Sequence, residues 1–166
     1  MSGKSKSGQS IYKAPNSEPS ALPSQLEDNI GFLLHRSARI LRRLVAEALQ
    51  DLELSFHEYV VLRMIEMDFV GTQKEVGRLN GIDRTSMVEL IDKMEERGLV
   101  VRSRDESDRR KHKLTITPKG KKVFTHAKRL ATKAHKTFLA PLQDEQSEAL
   151  KTYLKTIILA EESKSC

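Results

Sequence analysis

The chain has 166 residues, 38% hydrophobic and 31% charged, and this length favours one compact domain. Its 29 lysines and arginines outnumber its 23 acids, so the net charge of +6 favours an anionic partner without naming one. The single cysteine, Cys166, excludes an intrachain disulfide and a cysteine-based zinc site. No apolar run approaches the roughly 20 residues of a membrane span, so we expect a cytoplasmic protein that makes no membrane contact.

The first 24 residues are rich in serine and proline and poor in large apolar groups. Such a segment cannot bury enough surface to offset the entropy lost on ordering, so we expect a disordered tail at 1–24 and one domain at 25–166. From Leu26 onward, apolar residues recur at helical spacing and predict a long amphipathic helix over 26–50. That helix would be about 37 Å long at 1.5 Å per residue, which is more than a small monomer can cover.

Three shorter helices are predicted by residues that satisfy the free amides of a first helical turn. Ser55 precedes Glu58 by three positions, which matches the capping box. Thr72 and Glu75 repeat that spacing, and Asp83 is a candidate N-cap for a longer helix. The predicted helices cover residues 56–68, 73–79 and 84–97.

The connection between the last two of these helices is the tripeptide Asn80-Gly81-Ile82. A link this short forms a tight reversal, and the spacing is typical of a helix-turn-helix. Within the longer helix, apolar residues recur every three or four positions and should face the core. These are Met87, Leu90, Ile91 and Met94.

After Gly98 the apolar pattern changes from helical to alternating. Residues 99–104 and 112–117 alternate, with Leu99 predicted to share a face with Val101, and the wholly polar residues 105–110 connect the two runs into a hairpin. Thr117-Pro118 then predicts another helix that is broken before Pro141, and a last helix follows. The predicted apolar face of the first of these two helices consists of Val123, Ala127, Leu130, Ala134 and Phe138.

A helix-turn-helix followed by a basic hairpin predicts a winged helix, which is mainly α with a small β-hairpin wing. The major groove of DNA admits an α-helix and presents a distinct pattern for each base pair. Exposed polar and charged side chains near the start of helix 84–97 are therefore candidates for DNA contact. They are Arg84, Thr85, Ser86 and Glu89.

The hairpin supplies further candidates, because arginine side chains fit the narrow, electronegative minor groove of A·T-rich DNA. Its basic candidates are Arg104, Arg109, Arg110, Lys111 and Lys113. Asp108 would hold an arginine fork in one rotamer and reduce the entropy lost on binding. The alternative interpretation is a solvated hairpin whose surface ion pair contributes under about 1 kcal/mol.

The segment from Thr72 to Gly120 resembles the core of the MarR family of bacterial transcription regulators. In the wing, that family shows Asp-x-Arg, five further residues, an aliphatic-threonine pair and then a glycine. The matching positions are Asp108, Arg110, Ile116, Thr117 and Gly120. The flanking helices resemble the family's dimerisation arms, so the resemblance extends over about residues 26–161.

The resemblance implies a homodimer that binds a pseudo-palindromic operator in double-stranded DNA. It implies a winged helix-turn-helix DNA-binding region at 55–118, with dimerisation helices at 25–54 and 119–162. By position, Arg110 would make the wing-tip contact and Asp108 would orient it. The same comparison places two further residues at the DNA face, Thr85 and Ser86.

Two positions depart from the family pattern. Many members have Thr-Arg in the middle of the recognition helix, whereas this chain has Val88-Glu89, which removes a phosphate contact and adds a carboxylate. Glu89 could accept a hydrogen bond from a cytosine amino group or point to solvent. Glu106 replaces the usual proline after the first wing aspartate, which leaves the turn less constrained.

Members of this family often bind small aromatic or phenolic anions, so the resemblance also implies an effector, and a thioester of an aromatic acid is within that class. An aromatic wall with a nearby cation suits such a ligand. The candidate residues are Phe32, His35, Arg39 and Tyr59. Each has a structural alternative, as a surface residue on a helix or as part of the core.

No Walker loop, GxGxxG, GxSxG or HExxH pattern is present, so we expect no catalytic residue, cofactor or metal site. The sequence is interpreted as a dimeric transcription regulator, most simply a repressor that a ligand releases. Two alternatives stay open: a nonspecific architectural DNA-binding protein, and a winged-helix module that docks on another protein. Salt dependence and sequence preference of DNA binding separate the three.

Overall fold

The computed structural model describes Leu22 and residues 24–67, 73–104 and 112–163. The chain divides into two compact units, Met1–Arg36 and Ser37–Cys166. The disordered tail expected at 1–24 falls outside the described residues, except for Leu22 and Ser24, and stays a prediction. No described helix is both long enough and apolar enough to cross a bilayer.

A 3-10 turn at Ser24–Leu26 precedes helix α1, Ile30–Ala48, which begins in the first unit and continues into the second. The Asn29 side chain caps α1, because its Oδ1 accepts a hydrogen bond from the Phe32 amide at 2.8 Å. The predicted start at residue 26 was therefore four residues too early. Apolar spacing marks the face of a helix, whereas the cap marks where the helix begins.

The second unit contains α2, Phe56–Glu66, α3, Gln73–Leu79, and α4, Arg84–Glu96. The capping box of α2 is confirmed: the Ser55 hydroxyl accepts from the Glu58 amide at 3.2 Å, and the Glu58 carboxylate accepts from the Ser55 amide at 2.7 Å. Thr72, the predicted cap of α3, lies outside the described residues. The three helices match the predicted ones within two residues at each end.

The turn between α3 and α4 is as tight as its sequence predicts. Gly81 adopts φ +63, and the Ile82 amide donates to the Gly77 carbonyl oxygen at 2.9 Å. A Cβ at Gly77 would lie 2.9 Å from the Ile82 carbonyl oxygen, so glycine permits this close approach. The Asn80 side chain donates to the Val76 carbonyl oxygen at 2.7 Å and fixes the end of α3.

Strands β1, Val100–Arg104, and β2, His112–Ile116, pair antiparallel, with Val100 opposite Ile116. Both of these residues are buried, whereas Val101 is 48% exposed. The prediction that Leu99 shares the face of Val101 was wrong, because Leu99 is buried just before the strand. Its amide donates to the Met94 carbonyl oxygen at 2.9 Å and completes a Schellman cap around Gly98, whose φ is +66.

Helices α5, Pro118–Leu139, and α6, Asp144–Glu162, complete the described chain. Thr117 caps α5 as predicted, because its hydroxyl accepts from the Gly120 amide at 2.9 Å. The predicted apolar face of α5 was displaced, since Phe124 is 4% exposed while Val123, Leu130 and Phe138 are only partly buried. The fully buried positions of α5 are Gly120, Phe124, Ala127, Ala131 and Ala134.

The displacement follows from a ring contact between α5 and α2. The rings of Phe124 and Tyr59 stack with their centroids 5.9 Å apart at an angle of 27°. The core continues from this pair to the end of α1 and the inner face of α4. Its largest fully buried side chains are Leu49, Leu62, Met87, Ile91, Met94 and Leu99. The fold is mainly α with a small β-hairpin, as predicted.

Candidate nucleic-acid interface

The start of α4 is fixed by Asp83, which is its N-cap as predicted. The Asp83 carboxylate accepts from the Ser86 amide at 3.0 Å and from the Ser86 hydroxyl at 2.6 Å. These hydrogen bonds to Ser86 lower the pKa of Asp83 below its usual value. The Asp83 carboxylate itself occupies the positive end of α4, so contacts to DNA from this turn fall to its exposed side chains.

The opposite face of α4 is held by the core, which determines what the helix presents to solvent. Met87, Ile91 and Met94 are at most 2% exposed. The four predicted contact residues of this helix are all exposed: Arg84, Thr85, Ser86 and Glu89. The structure therefore leaves all four accessible to solvent near the start of α4, as is Val88 at 42% exposure.

The wing candidates are only partly within the described residues. Arg104 ends β1 opposite His112, and Lys113 lies in β2 opposite Ser103; their backbones are described, but their side chains are not. The remaining wing candidates lie outside the described residues: Asp108, Arg109, Arg110 and Lys111. The root of the hairpin is anchored, because Val100 and Ile116 are buried.

One residue that the sequence analysis missed links the hairpin to α4. The Arg102 guanidinium forms ion pairs with Asp92 at 2.5 Å and with Glu95 at 3.0 Å. The alternating pattern predicted that Arg102 and Val101 lie on opposite faces of the strand. It did not identify the residues that contact Arg102. Asp92 and Glu95 are three positions apart, so they share one side of the helix, and this spacing was the available signal.

A cavity of about 280 Å³ lies between α2, α3 and α5 in the second unit. Its walls are mostly apolar, and three polar side chains reach it. The apolar walls are Phe56, Tyr59, Val60, Met64, Met67 and Leu79. The polar side chains are Arg63, Asn80 and His135. A volume of this size accommodates one substituted aromatic ring, since about 150 Å³ holds benzene.

The four effector candidates from the sequence are placed differently. Tyr59 borders the cavity through α2, whereas the Arg39 side chain is exposed. Phe32 and His35 fall in the first unit. Arg63 follows Tyr59 by one helical turn, so helix spacing could have found it. His135 needed the packing of α5 on α2, which no sequence pattern supplied.

Two histidines of the second unit are held toward their neutral form. Burial lowers the pKa of His135 below its usual 6.5, and the nearby Arg63 charge lowers it further. Burial and then the Arg42 charge have the same effect on the pKa of His57. The cavity therefore contains one permanent cation, Arg63, and one imidazole that an anionic ligand would help to protonate.

The comparisons with known proteins point to one family. The model of the MarR family matches residues 52–111, which span α2, α3, α4 and β1. A MarR-family transcriptional regulator from Rhodococcus sp. is 32% identical, with a TM-score of 0.74, covering 81% of this chain and 96% of that chain.

Two structures of CouR are also similar. CouR from Rhodococcus jostii, bound to p-coumaroyl-CoA, is 33% identical with a TM-score of 0.71; the match covers 81% of this chain and 95% of that one. The transcriptional repressor CouR bound to a 23-mer DNA duplex is 30% identical with a TM-score of 0.73, and the match covers 84% of this chain and 99% of that one.

Proposed function

The chain belongs to the MarR family of transcription regulators, and we propose that it is a sequence-specific repressor. In this proposal it binds a pseudo-palindromic operator as a homodimer and leaves it when a small aromatic ligand binds. The observation that carries the proposal is the outward surface at the start of α4, opposite a buried apolar face. The DNA-bound CouR structure supports the same role for this chain.

The DNA contacts are divided between α4 and the wing. Thr85 and Ser86 lie in the first turn of α4, where short side chains let the backbone approach the major groove. Arg84, which is exposed in the same turn, supplies a positive charge that attracts a backbone phosphate. Arg110 reaches the flanking minor groove from the wing tip, and Asp108 orients it. This division assigns DNA binding to residues 55–118.

The proposal of a homodimer is supported by α6, whose apolar side chains are unusually exposed. Large apolar groups scattered singly on a surface are ordinary, but several on one helix mark an interaction site. The exposed groups are Tyr153 at 67%, Ile157 at 58%, Ile158 at 56% and Leu159 at 64%. A second copy of the chain would bury them, so we assign dimerisation to residues 25–54 and 119–162.

The proposed effector site is the cavity beside Tyr59. Its apolar walls suit an aromatic ring, and Arg63 suits an acidic or phenolic oxygen at one end of that ring. The complex of CouR with p-coumaroyl-CoA supports an aromatic acid or its thioester as the ligand class. Phe32, His35 and Arg39 stay proposed as effector contacts on the family resemblance alone, apart from this cavity.

The effector proposal is tested with p-coumaric acid and p-coumaroyl-CoA as probes. We expect one of them to raise the melting temperature and to release the protein from DNA, because a ligand that binds only the folded protein stabilises it. The Arg63→Met variant removes an exposed cation without disturbing the core, and it should lose that stabilisation. Lys128→Met, an exposed site on α5, is the matched control.

The DNA-binding proposal is tested by selecting duplexes from a random pool and titrating the selected duplex against a scrambled one over a range of salt concentrations. We expect a strong preference for the selected duplex and a steep fall in affinity with salt, because several lysines and arginines displace counterions. Equal affinity for both duplexes would instead identify an architectural DNA-binding protein. A shallow salt dependence without preference would identify a protein-docking module.

A further inference from the structure

Arg102 lies at the centre of β1, and its side chain returns to α4. Its Nη1 atom lies 2.5 Å from Asp92 Oδ1 and 3.0 Å from Glu95 Oε2. Its backbone amide donates to Glu95 Oε1 at 2.7 Å, and Nη2 donates to the Val88 carbonyl oxygen at 3.4 Å. Arg102 therefore contacts about two turns of the recognition helix, from Val88 to Glu95, through ion pairs and hydrogen bonds.

This arrangement differs from an isolated surface ion pair. Arg102 is 23% exposed and Glu95 is 29% exposed, so both side chains are largely withdrawn from solvent. Exposed pairs contribute little because each side chain loses entropy for one screened contact. Here one guanidinium engages two carboxylates, and one of those carboxylates also accepts the backbone amide. Together these contacts fix the position of β1 relative to α4.

The Nε atom of Arg102 is buried and has no hydrogen-bond partner among the described residues. A buried donor without an acceptor costs free energy, so the network is poorly arranged for stability alone. The network does, however, fix the orientation of the Arg102 guanidinium toward α4. That observation favours a geometric role for the residue.

The hairpin needs such an anchor, since a two-stranded sheet is marginally stable by itself. Val100 and Ile116 bury its root, and Arg102 is the next residue of β1 that faces inward. Arg102 pairs across the sheet with Leu114, which is partly buried. The ion pairs therefore hold the hairpin to α4 further from the core than the apolar contacts do.

We propose that Arg102, acting through Asp92 and Glu95, is a positioning residue that fixes the angle between the wing and the recognition helix. The proposal rests on the DNA-binding function proposed above. A helix in the major groove and a wing in the adjacent minor groove can engage one duplex together only when this angle is correct. Binding sites of this kind need supporting residues that hold their geometry within small tolerances.

Asp92 gives the proposal its sharpest test, because two explanations predict opposite signs. Asp92 is a half-exposed acid on the helix that faces DNA. If only its charge matters, Asp92→Asn removes repulsion from phosphates and strengthens binding to every duplex. If it positions the wing through Arg102, the same substitution weakens binding to the selected duplex.

The experiment compares Arg102→Met, Asp92→Asn and the double variant with the wild-type protein. Glu96→Gln is the matched control, because it removes one exposed acid from the same helix. Affinities are measured for the wild-type-selected duplex and its scrambled version across a salt series, and circular dichroism reports folding. Asp92→Asn preserves the size of its side chain, so it tests the proposal even if Arg102→Met fails to fold.

We expect Arg102→Met and Asp92→Asn each to reduce the preference for the selected duplex about tenfold, as coupled residues of one network do. The double variant should lose no more than either single variant. The salt slope should change by the same amount in Arg102→Met and Asp92→Asn, because both substitutions release the same wing. Glu96→Gln should leave the preference intact.

Three results would overturn the proposal. One is tighter binding by Asp92→Asn, or a preference equal to that of Glu96→Gln. A second is a salt slope lower by about one in Arg102→Met but unchanged in Asp92→Asn, which indicates a direct phosphate contact of Arg102. The third is a wild-type protein that selects no duplex at all, which contradicts the DNA-binding function and the positioning role with it.

Discussion

Gly120 is required for close packing, not for backbone flexibility. It lies in the first turn of α5 and is buried, and a Cβ there would overlap the Leu99 carbonyl oxygen and crowd Ile116. The obstacle is mainly backbone, which cannot move aside as a flexible side chain can. The glycine therefore lets α5 begin directly against the end of α4.

We predict that Gly120→Ala lowers the free energy of unfolding by about 1–3 kcal/mol, the usual cost of overpacking. The substitution gains about 1 kcal/mol of helix propensity, so a clear loss must come from the overlap. Gly31→Ala in α1 is the control, because its Cβ would meet only Asn29 Oδ1, at 3.4 Å. Urea unfolding should find the control neutral or stabilised; a stabilised Gly120→Ala would refute the overlap.

The wing-tip arginine carries a separate prediction. Arg110→Ala should weaken binding to the selected duplex by about 1–3 kcal/mol, because an arginine that reads a groove contributes that much. Dimerisation should not change, because the proposed interface uses the exposed apolar side chains of α6. Lys128→Ala, at an exposed position of α5, is the control. Unchanged affinity of Arg110→Ala in a gel-shift titration would remove the residue from the interface.

Residues that satisfy a local backbone requirement were readable from the sequence. Ser55, Asp83 and Thr117 were predicted as caps and cap their helices through hydrogen bonds to amides three positions ahead. Arg102 was not readable, because its partners on α4 are set by how the strand returns to the helix. The distinction is physical: a cap depends on neighbours in sequence, whereas a positioning residue depends on neighbours in space.

Among the helices, the packing of α5 on α2 determines which face of α5 is buried and lowers the pKa of His135. Phe124 stacks on Tyr59, which turns α5 away from the face that apolar spacing alone predicted. The same packing places His135 beside Arg63 at the cavity. The apolar periodicity predicted that α5 exists and how long it is. It could not predict the rotation of α5 about its axis, because that depends on the contact between Tyr59 and Phe124, which are 65 positions apart.

This packing predicts a pH dependence of stability. The pKa of His135 is lowered in the folded protein by burial and then by Arg63, so folding favours the neutral imidazole. The stabilisation is complete above the unfolded pKa of about 6.5 and is lost as pH falls through that value toward the folded pKa. His57 contributes with the same sign.

Urea unfolding at pH 7.5 and pH 5.5 measures the effect. We expect the wild-type protein to be less stable at pH 5.5, and His135→Gln to lose part of that difference. His126→Gln, at an exposed position of the same helix, is the matched control and should keep the wild-type difference. An identical pH difference in His135→Gln and the wild-type protein would show that this imidazole is not coupled to folding.

Taken as a whole, the chain presents exposed polar side chains at the start of α4 and exposed apolar side chains on α6. The sequence predicted the helix-turn-helix and the hairpin because their turns, caps and alternation are local. It predicted a dimer from the length of the first helix and from the resemblance to the MarR family, whereas the exposed side chains of α6 emerge only when the helices are packed. Val101 is also exposed, but a single exposed apolar residue does not identify an interaction surface.

We predict that Ile157→Asp produces a folded monomer with much weaker operator binding. Ile157 is 58% exposed in the single chain, so the substitution should change the stability of an isolated monomer by no more than about 0.5 kcal/mol. Burying an unpaired carboxylate between two copies is far more costly. Light scattering after gel filtration gives the mass, with Thr132→Asp, an exposed polar position of α5, as the control. A dimeric Ile157→Asp would place the interface elsewhere.

Footprinting of the selected duplex tests most directly whether two copies of this chain read DNA together. Two recognition helices related by a two-fold axis should protect two major-groove segments whose centres lie about 10 base pairs apart, one turn of the duplex. Ile157→Asp should protect neither segment at the concentration where the wild-type protein protects both. One protected segment, or even protection along the whole duplex, would contradict a homodimeric, sequence-specific regulator.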